Sequence, residues 1–163
     1  MVRFSLVLVG LVATLAAAGC KKNEDPNGVG PWQFGRSVLA DAEAAGRCIP
    51  SEGGQEQCIG LSAMQVGGQV GEPQVYFASA AKDAKLIEIS ITIRTCDAAA
   101  VAADLKSRIG KPSVESDDGK MITWQMSTMF VRALVPDKKS GWCELSFVAP
   151  DDAARIADLK AGK

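Results

Sequence analysis

Leu86-Ile87-Glu88-Ile89-Ser90-Ile91-Thr92-Ile93-Arg94 is the stretch whose reading decides the fold. Ile87, Ile89, Ile91 and Ile93 alternate with Glu88, Ser90, Thr92 and Arg94, the period-two pattern of a β-strand with one apolar face and one wet face. A strand of a parallel sheet is covered on both sides and reads as continuous apolar residues. Clean alternation therefore predicts an antiparallel sheet with one face covered.

Working outward, Val75 to Ala80 reads as a preceding strand, joined through a turn at Lys82-Asp83-Ala84. A weaker strand is expected near Leu61 to Val66. Downstream, Asp97 can cap a helix whose Val101, Leu105 and Ile109 share one stripe, and Gly110 followed by Pro112 ends it. Three more strands follow: Met121 to Met126, Met129 to Val135, and Trp142 to Ala149, separated by turns at Asp117-Asp118-Gly119 and Asp137 to Gly141. Upstream, Val38, Leu39, Ala42 and Ala45 define a first helix, with Ser37 as its expected N-cap and Gly46 as its stop. The segment from Cys48 to Cys58 contains Pro50, Gly53 and Gly54 and reads as a loop. A short terminal helix is expected after Asp151, packing through Ile156 and Leu159.

Helix then strands, followed by helix then strands, argues for an α+β fold. The expected architecture is a mostly antiparallel sheet of about six strands with two main helices on one face. The two halves read as a degenerate αβββ repeat. In outline the order is similar to envelope lipoproteins and inhibitors built of helix-plus-antiparallel-sheet units, such as the beta-lactamase inhibitor protein. The likeness is topological and transfers no functional residue.

The chain begins with one positive charge, Arg3, and a run from Phe4 to Ala18 broken only by Ser5, Gly10 and Thr14. This is the pattern of an export signal, and the run is shorter than the roughly 20 apolar residues that span a bilayer. It ends in Leu15-Ala16-Ala17-Ala18-Gly19-Cys20, which resembles the lipobox of bacterial lipoproteins, although Ala17 stands where a leucine is commonest. The resemblance implies cleavage before Cys20 and lipid on that cysteine, so that residues 1–19 are a signal peptide. Two or more acyl chains anchor durably without a transmembrane helix. In the diderm members of this family an aspartate after the cysteine favours the inner membrane, so Lys21 implies the outer membrane over the inner. Residues 20–33, rich in charge, Pro and Gly, read as the lipidated cysteine and a flexible tether, and 34–163 as a single globular domain.

Of five cysteines, Cys20 is assigned to lipid, leaving Cys48, Cys58, Cys96 and Cys143, an even set that reads as two disulfides in an oxidising envelope. The pairing expected is Cys48 with Cys58, which flank one loop, and Cys96 with Cys143, which end one strand and begin another. There is no Cys-x-x-Cys pair and no histidine, so no metal site or cofactor is expected. Without residues 1–19 the chain carries 17 basic and 19 acidic residues, a balance that predicts no nucleic-acid partner.

The absence of histidine removes the commonest general base. Ser79-Ala80-Ala81-Lys82 matches the Ser-x-x-Lys pattern of penicillin-recognising enzymes, but its companion motifs are missing and it falls in a predicted turn. Glu115, Asp117 and Glu144 are the carboxylates left for acid-base work, and none lies in an apolar run that would raise its pKa. Gly28-Val29-Gly30 follows no strand and opens no helix, so it is no phosphate loop. Trp124 alternates with Ile122 and Met126 and is expected in the core, whereas Trp142 has the opposite parity to Cys143, Leu145 and Phe147 and is the candidate contact residue. No catalytic residue is assigned. The expected function is a lipid-anchored envelope protein, facing the periplasm or exterior, that binds an envelope protein without catalysis. The competing expectation is a carboxylate-based enzyme or small-ligand-binding lipoprotein.

Overall fold

A computed structural model describes residues 26–137 and 140–162. The signal segment, Cys20 and the first part of the tether lie outside these residues. In chain order the elements are β1 (Gly28–Val29), β2 (Trp32–Gln33), α1 (Leu39–Ala45), β3 (Arg47–Pro50), β4 (Glu56–Ile59), β5 (Met64–Val66), β6 (Gln69–Phe77), β7 (Leu86–Ile93), α2 (Ala98–Ile109), β8 (Val114–Glu115), β9 (Met121–Gln125), β10 (Phe130–Leu134), β11 (Cys143–Val148) and α3 (Ala153–Lys160). The α+β class and the antiparallel sheet are as expected, but the strands among the described residues number eleven rather than about six.

All strand pairs are antiparallel, and the main sheet runs β3-β4-β6-β7-β11-β10-β9-β8, with β5 added beside β6. Read from either edge, four strands follow a helix in sequence, α1 into β3-β4-β6-β7 and α2 into β8-β9-β10-β11. The unit is therefore one strand longer than the expected αβββ. The two meanders meet at β7 and β11, where Ile89 faces Phe147, Ile91 faces Leu145 and Ile93 faces Cys143.

These residues lie on the inner face. They are buried with Val131, Ala133, Ile122 and Trp124 of the neighbouring strands, under Leu39 and Ala42 of α1 and Val101 and Leu105 of α2. Trp124 donates its indole N–H to the Gly110 carbonyl at 2.9 Å, so the strand is also fastened to the end of α2. Gly67 is required where the β5–β6 turn meets α2: its φ is +57°, and a Cβ there would lie 2.7 Å from Ala100 backbone atoms. The third helix packs on the opposite, outer face, where Ile156 and Leu159 bury Phe130 and Val148.

Several expectations are corrected. The Cys48 to Cys58 segment is a hairpin, in which the two cysteines face each other across β3 and β4 and are bonded. The pairing itself is the expected one: the second bond joins Cys96 to Cys143 and so ties the end of β7 to the start of β11, across the seam of the two meanders. Ser37 does not cap α1. Its hydroxyl accepts from the Gln33 N–H at 2.9 Å, and the helix start is closed by Asp41, whose carboxylate accepts from the Val38 N–H at 3.0 Å. The tether expected over 20–33 is folded from Gly28, because Gly28–Val29 pairs with Trp32–Gln33 and buries Trp32 in the main core.

The largest correction concerns the deciding strand. Its alternation holds from Ile89 to Ile93 and breaks at Ile87, where the register with β6 shifts: Tyr76 faces Glu88, but Phe77 faces Leu86. The bulge turns Leu86 inward and leaves Ile87 half-buried. It also leaves Glu88 on the outer face, beneath α3.

Candidate functional site

Opposite the core, strand register sets the outer face out in three rows. Gln57, Tyr76, Glu88 and Val148 form the first row. The second is Gln74, Ser90, Ser146, Arg132 and Thr123. The third is Glu72, Thr92, Glu144, Leu134 and Met121. Helix α3 covers the part over β10 and β11, and among the described residues no helix lies over β4, β6 and β7.

At the boundary, the α3 residue Arg155 grips Glu88 with two hydrogen bonds, Nε to Oε2 at 2.7 Å and Nη2 to Oε1 at 3.0 Å. The side chain of Glu88 is only 8% exposed, so the pair is what makes a carboxylate tolerable there. The bond to Glu88 raises the Arg155 pKa. Arg132, also buried under α3, donates to the Leu159 carbonyl at 3.3 Å, closing the C-terminal turn of the helix, and its pKa is lowered by burial and by the nearby Arg155 charge. Asp152 caps the other end by accepting from the Arg155 N–H at 3.1 Å.

Beside this pair, Tyr76 is locked by amides. Its hydroxyl accepts from Gln57 Nε2 at 3.0 Å and donates to Gln74 Oε1 at 3.2 Å, while the two amides bond each other at 2.7 Å. Burial and the Glu88 charge push the tyrosine pKa up, against the opposing pull of Arg155 and the Gln57 hydrogen bond. A cleft of about 490 Å³ opens here between the Ser51–Gln55 turn and α3, with Tyr76, Ile87, Glu88 and Arg155 in its wall. At the other end of the uncovered face, Arg94 makes a two-armed bridge to Glu72 and stacks over Trp142, 4.6 Å from the ring centroid. The Arg94 hydrogen bond lowers the Glu72 pKa. No protein-family model matches the chain, and no characterised protein or solved structure matches it either. Its functional reading therefore rests on this face.

The residues singled out in the sequence do not converge. Glu115 lies on edge strand β8 and bonds Lys106 at 3.0 Å, Asp117 is in an exposed turn, and Glu144 is on β11. Strands β9 and β10 separate β8 from β11, a gap of about 14 Å at the usual strand spacing, outside the range in which two carboxylates share a glycosidic bond. The Ser79 hydroxyl accepts from the Ala81 N–H, and Lys82 pairs with Glu43 instead of turning to the serine. Trp142 is half-buried under Arg94, and Trp32 belongs to the core. Among the described residues no cluster of three metal-ligating side chains occurs, and no helix is long and apolar enough to cross a membrane. The residues missed from sequence are Tyr76, Glu88 and Arg155. In the alternation Glu88 reads as a solvated residue, and nothing local connects it to a residue 67 positions later.

Proposed function

We propose that this chain is a lipid-anchored protein of the cell envelope that binds another protein through the uncovered outer face of its sheet. One observation carries the reading. The side chains that water would meet over β4, β6 and β7 are Gln57, Ile59, Gln74, Tyr76, Ser90 and Thr92, with the charged Glu72 and Arg94 and the exposed Val70 only at the margin. A face kept wet for solubility is usually laced with Lys and Glu. Uncharged polar groups around an aromatic are the composition of a contact surface, where charged residues are depleted at the centre. Tyr76 is also held in place before any partner arrives, which lowers the entropy lost on binding. The anchor is supported by the apolar run and the small residues before Cys20, and Lys21 favours the outer membrane.

The test is photo-crosslinking in the native cell from a reactive residue at Ser90, with Ala44 on the exposed side of α1 as control. A discrete adduct at Ser90, absent at Ala44 and abolished by Gln74→Arg, is expected. Equal labelling from both positions, or none from Ser90, would refute the assignment of the face.

A further inference from the structure

We infer that the sheet end at Pro26 is a lipid-facing surface, whose groove beside the chain's entry point rests on the phospholipid of the anchoring bilayer. The inference rests on the lipid-anchor reading of Cys20. The described chain starts where the Pro26 carbonyl accepts from the Thr128 hydroxyl at 2.6 Å and the Asn27 carbonyl from the Phe34 N–H at 2.9 Å. Six peptide steps connect Cys20 to Pro26, and fully extended they reach about 20 Å. This end of the domain is thus held close to the surface in which the acyl chains are buried.

Topology decides what else lies there. Strand β6 ends and β7 begins at this side, with Phe77 beside Leu86, and β11 ends at Val148, which faces Phe130 at the start of β10. Between these ends runs a mostly apolar groove of about 510 Å³, walled by Phe34, Ala78, Leu86, Ile87 and Pro150, with Lys85 and Asp151 at its rim. An apolar floor whose charged groups stand only at the rim suits the boundary between acyl chains and phospholipid headgroups. The outer-face cleft nearby carries Glu52 and Asp158, which would be repelled by an anionic bilayer if the sheet lay flat on that face. The strands therefore stand upright. The opposite end, with Val70 at 59% exposure and the Glu72, Arg94 and Trp142 group, projects about 25 Å further into the aqueous space, the length of an eight-residue strand.

The experiment uses the full lipidated chain in vesicles of phosphatidylethanolamine and phosphatidylglycerol carrying a headgroup quencher. One fluorophore is attached at Ala78 or Asp151, both exposed at the near end, or at Val70 at the far end. Quenching at Ala78 and Asp151 is expected to exceed that at Val70 severalfold. If the protein carries lipid and floats with the vesicles, but near and far positions quench equally or in reverse order, the orientation alone is overturned. If the chain recovered from membranes carries no lipid, the orientation falls together with the anchor.

Discussion

Arg155→Ala probes the joint that fixes α3 to the outer face. The change removes both hydrogen bonds to Glu88 and leaves a carboxylate whose side chain is 8% exposed without its cation. Breaking a fully buried ion pair costs about 3 to 5 kcal/mol, because the remaining charge is stranded in low dielectric. Arg155 is 37% exposed, so water can enter the space it vacates, and the expected cost falls to about 2 to 3 kcal/mol. Replacing both partners, Glu88→Gln with Arg155→Met, removes the stranded charge and keeps the volume. The double variant should therefore lose only about 1 kcal/mol, less than the single change. Urea melts of the unchanged protein, Arg155→Ala and the double variant at neutral pH supply the comparison. A loss below about 0.5 kcal/mol for Arg155→Ala would be the behaviour of a solvated surface pair, and would refute the docking of α3 over Glu88.

Three further outcomes are expected. Ile91→Ala, at the centre of the inner face, should cost about 2 to 5 kcal/mol, whereas Thr92→Ala on the outer face should cost less than about 1 kcal/mol, and equal losses in denaturant melts would show the facing to be wrong. Cys96→Ser opens a bond spanning 47 positions and should cost about 4 kcal/mol from loop closure, against about 3 kcal/mol for Cys48→Ser across 10 positions; peptide mapping of the oxidised protein checks the pairing first, and a peptide joining Cys48 to Cys96 would refute it. Tyr76 is the chain's only tyrosine, so its ionisation can be followed by absorbance, and the midpoint should lie above the ordinary 10.0 and return to it on unfolding. Because the folded pKa is the raised one, the stability that the neutral phenol contributes is complete below the unfolded pKa and is lost as pH rises through the folded value. Tyr76→Phe should remove that part of the alkaline loss.

Much of this fold is written in local pattern. The isoleucines at 89, 91 and 93 announce the central strand because each alternate side chain must find the same core, and α2 is legible because Asp97 and Gly110 bracket a stripe of Val101 and Leu105. What escaped depends on partners distant in sequence. The bulge at Ile87 arises from the register between β6 and β7, which no single strand encodes. The hairpin of β3 and β4 is hidden by Pro50, Gly53 and Gly54, and the part of β6 before Val75 by Gly71 and Pro73. Pro73 is tolerated because it lies between the rungs that β6 makes with β5 and those it makes with β4. Trp32 was obscured by a polar, Gly-rich neighbourhood that looks like tether but makes a two-rung hairpin. The site was harder still. The network of Gln57, Gln74 and Tyr76 spans two strands, and the Glu88–Arg155 pair joins β7 to the last helix.

The central claim is that lipid on Cys20 holds this sheet at a membrane, and the most direct test is the intact mass of the mature chain extracted from membranes. A chain beginning at Cys20 and carrying acylated glycerol, with the modification abolished by Cys20→Ala, is the predicted result. A mature chain beginning at Gly19 with no lipid, released with the soluble envelope contents, would contradict it.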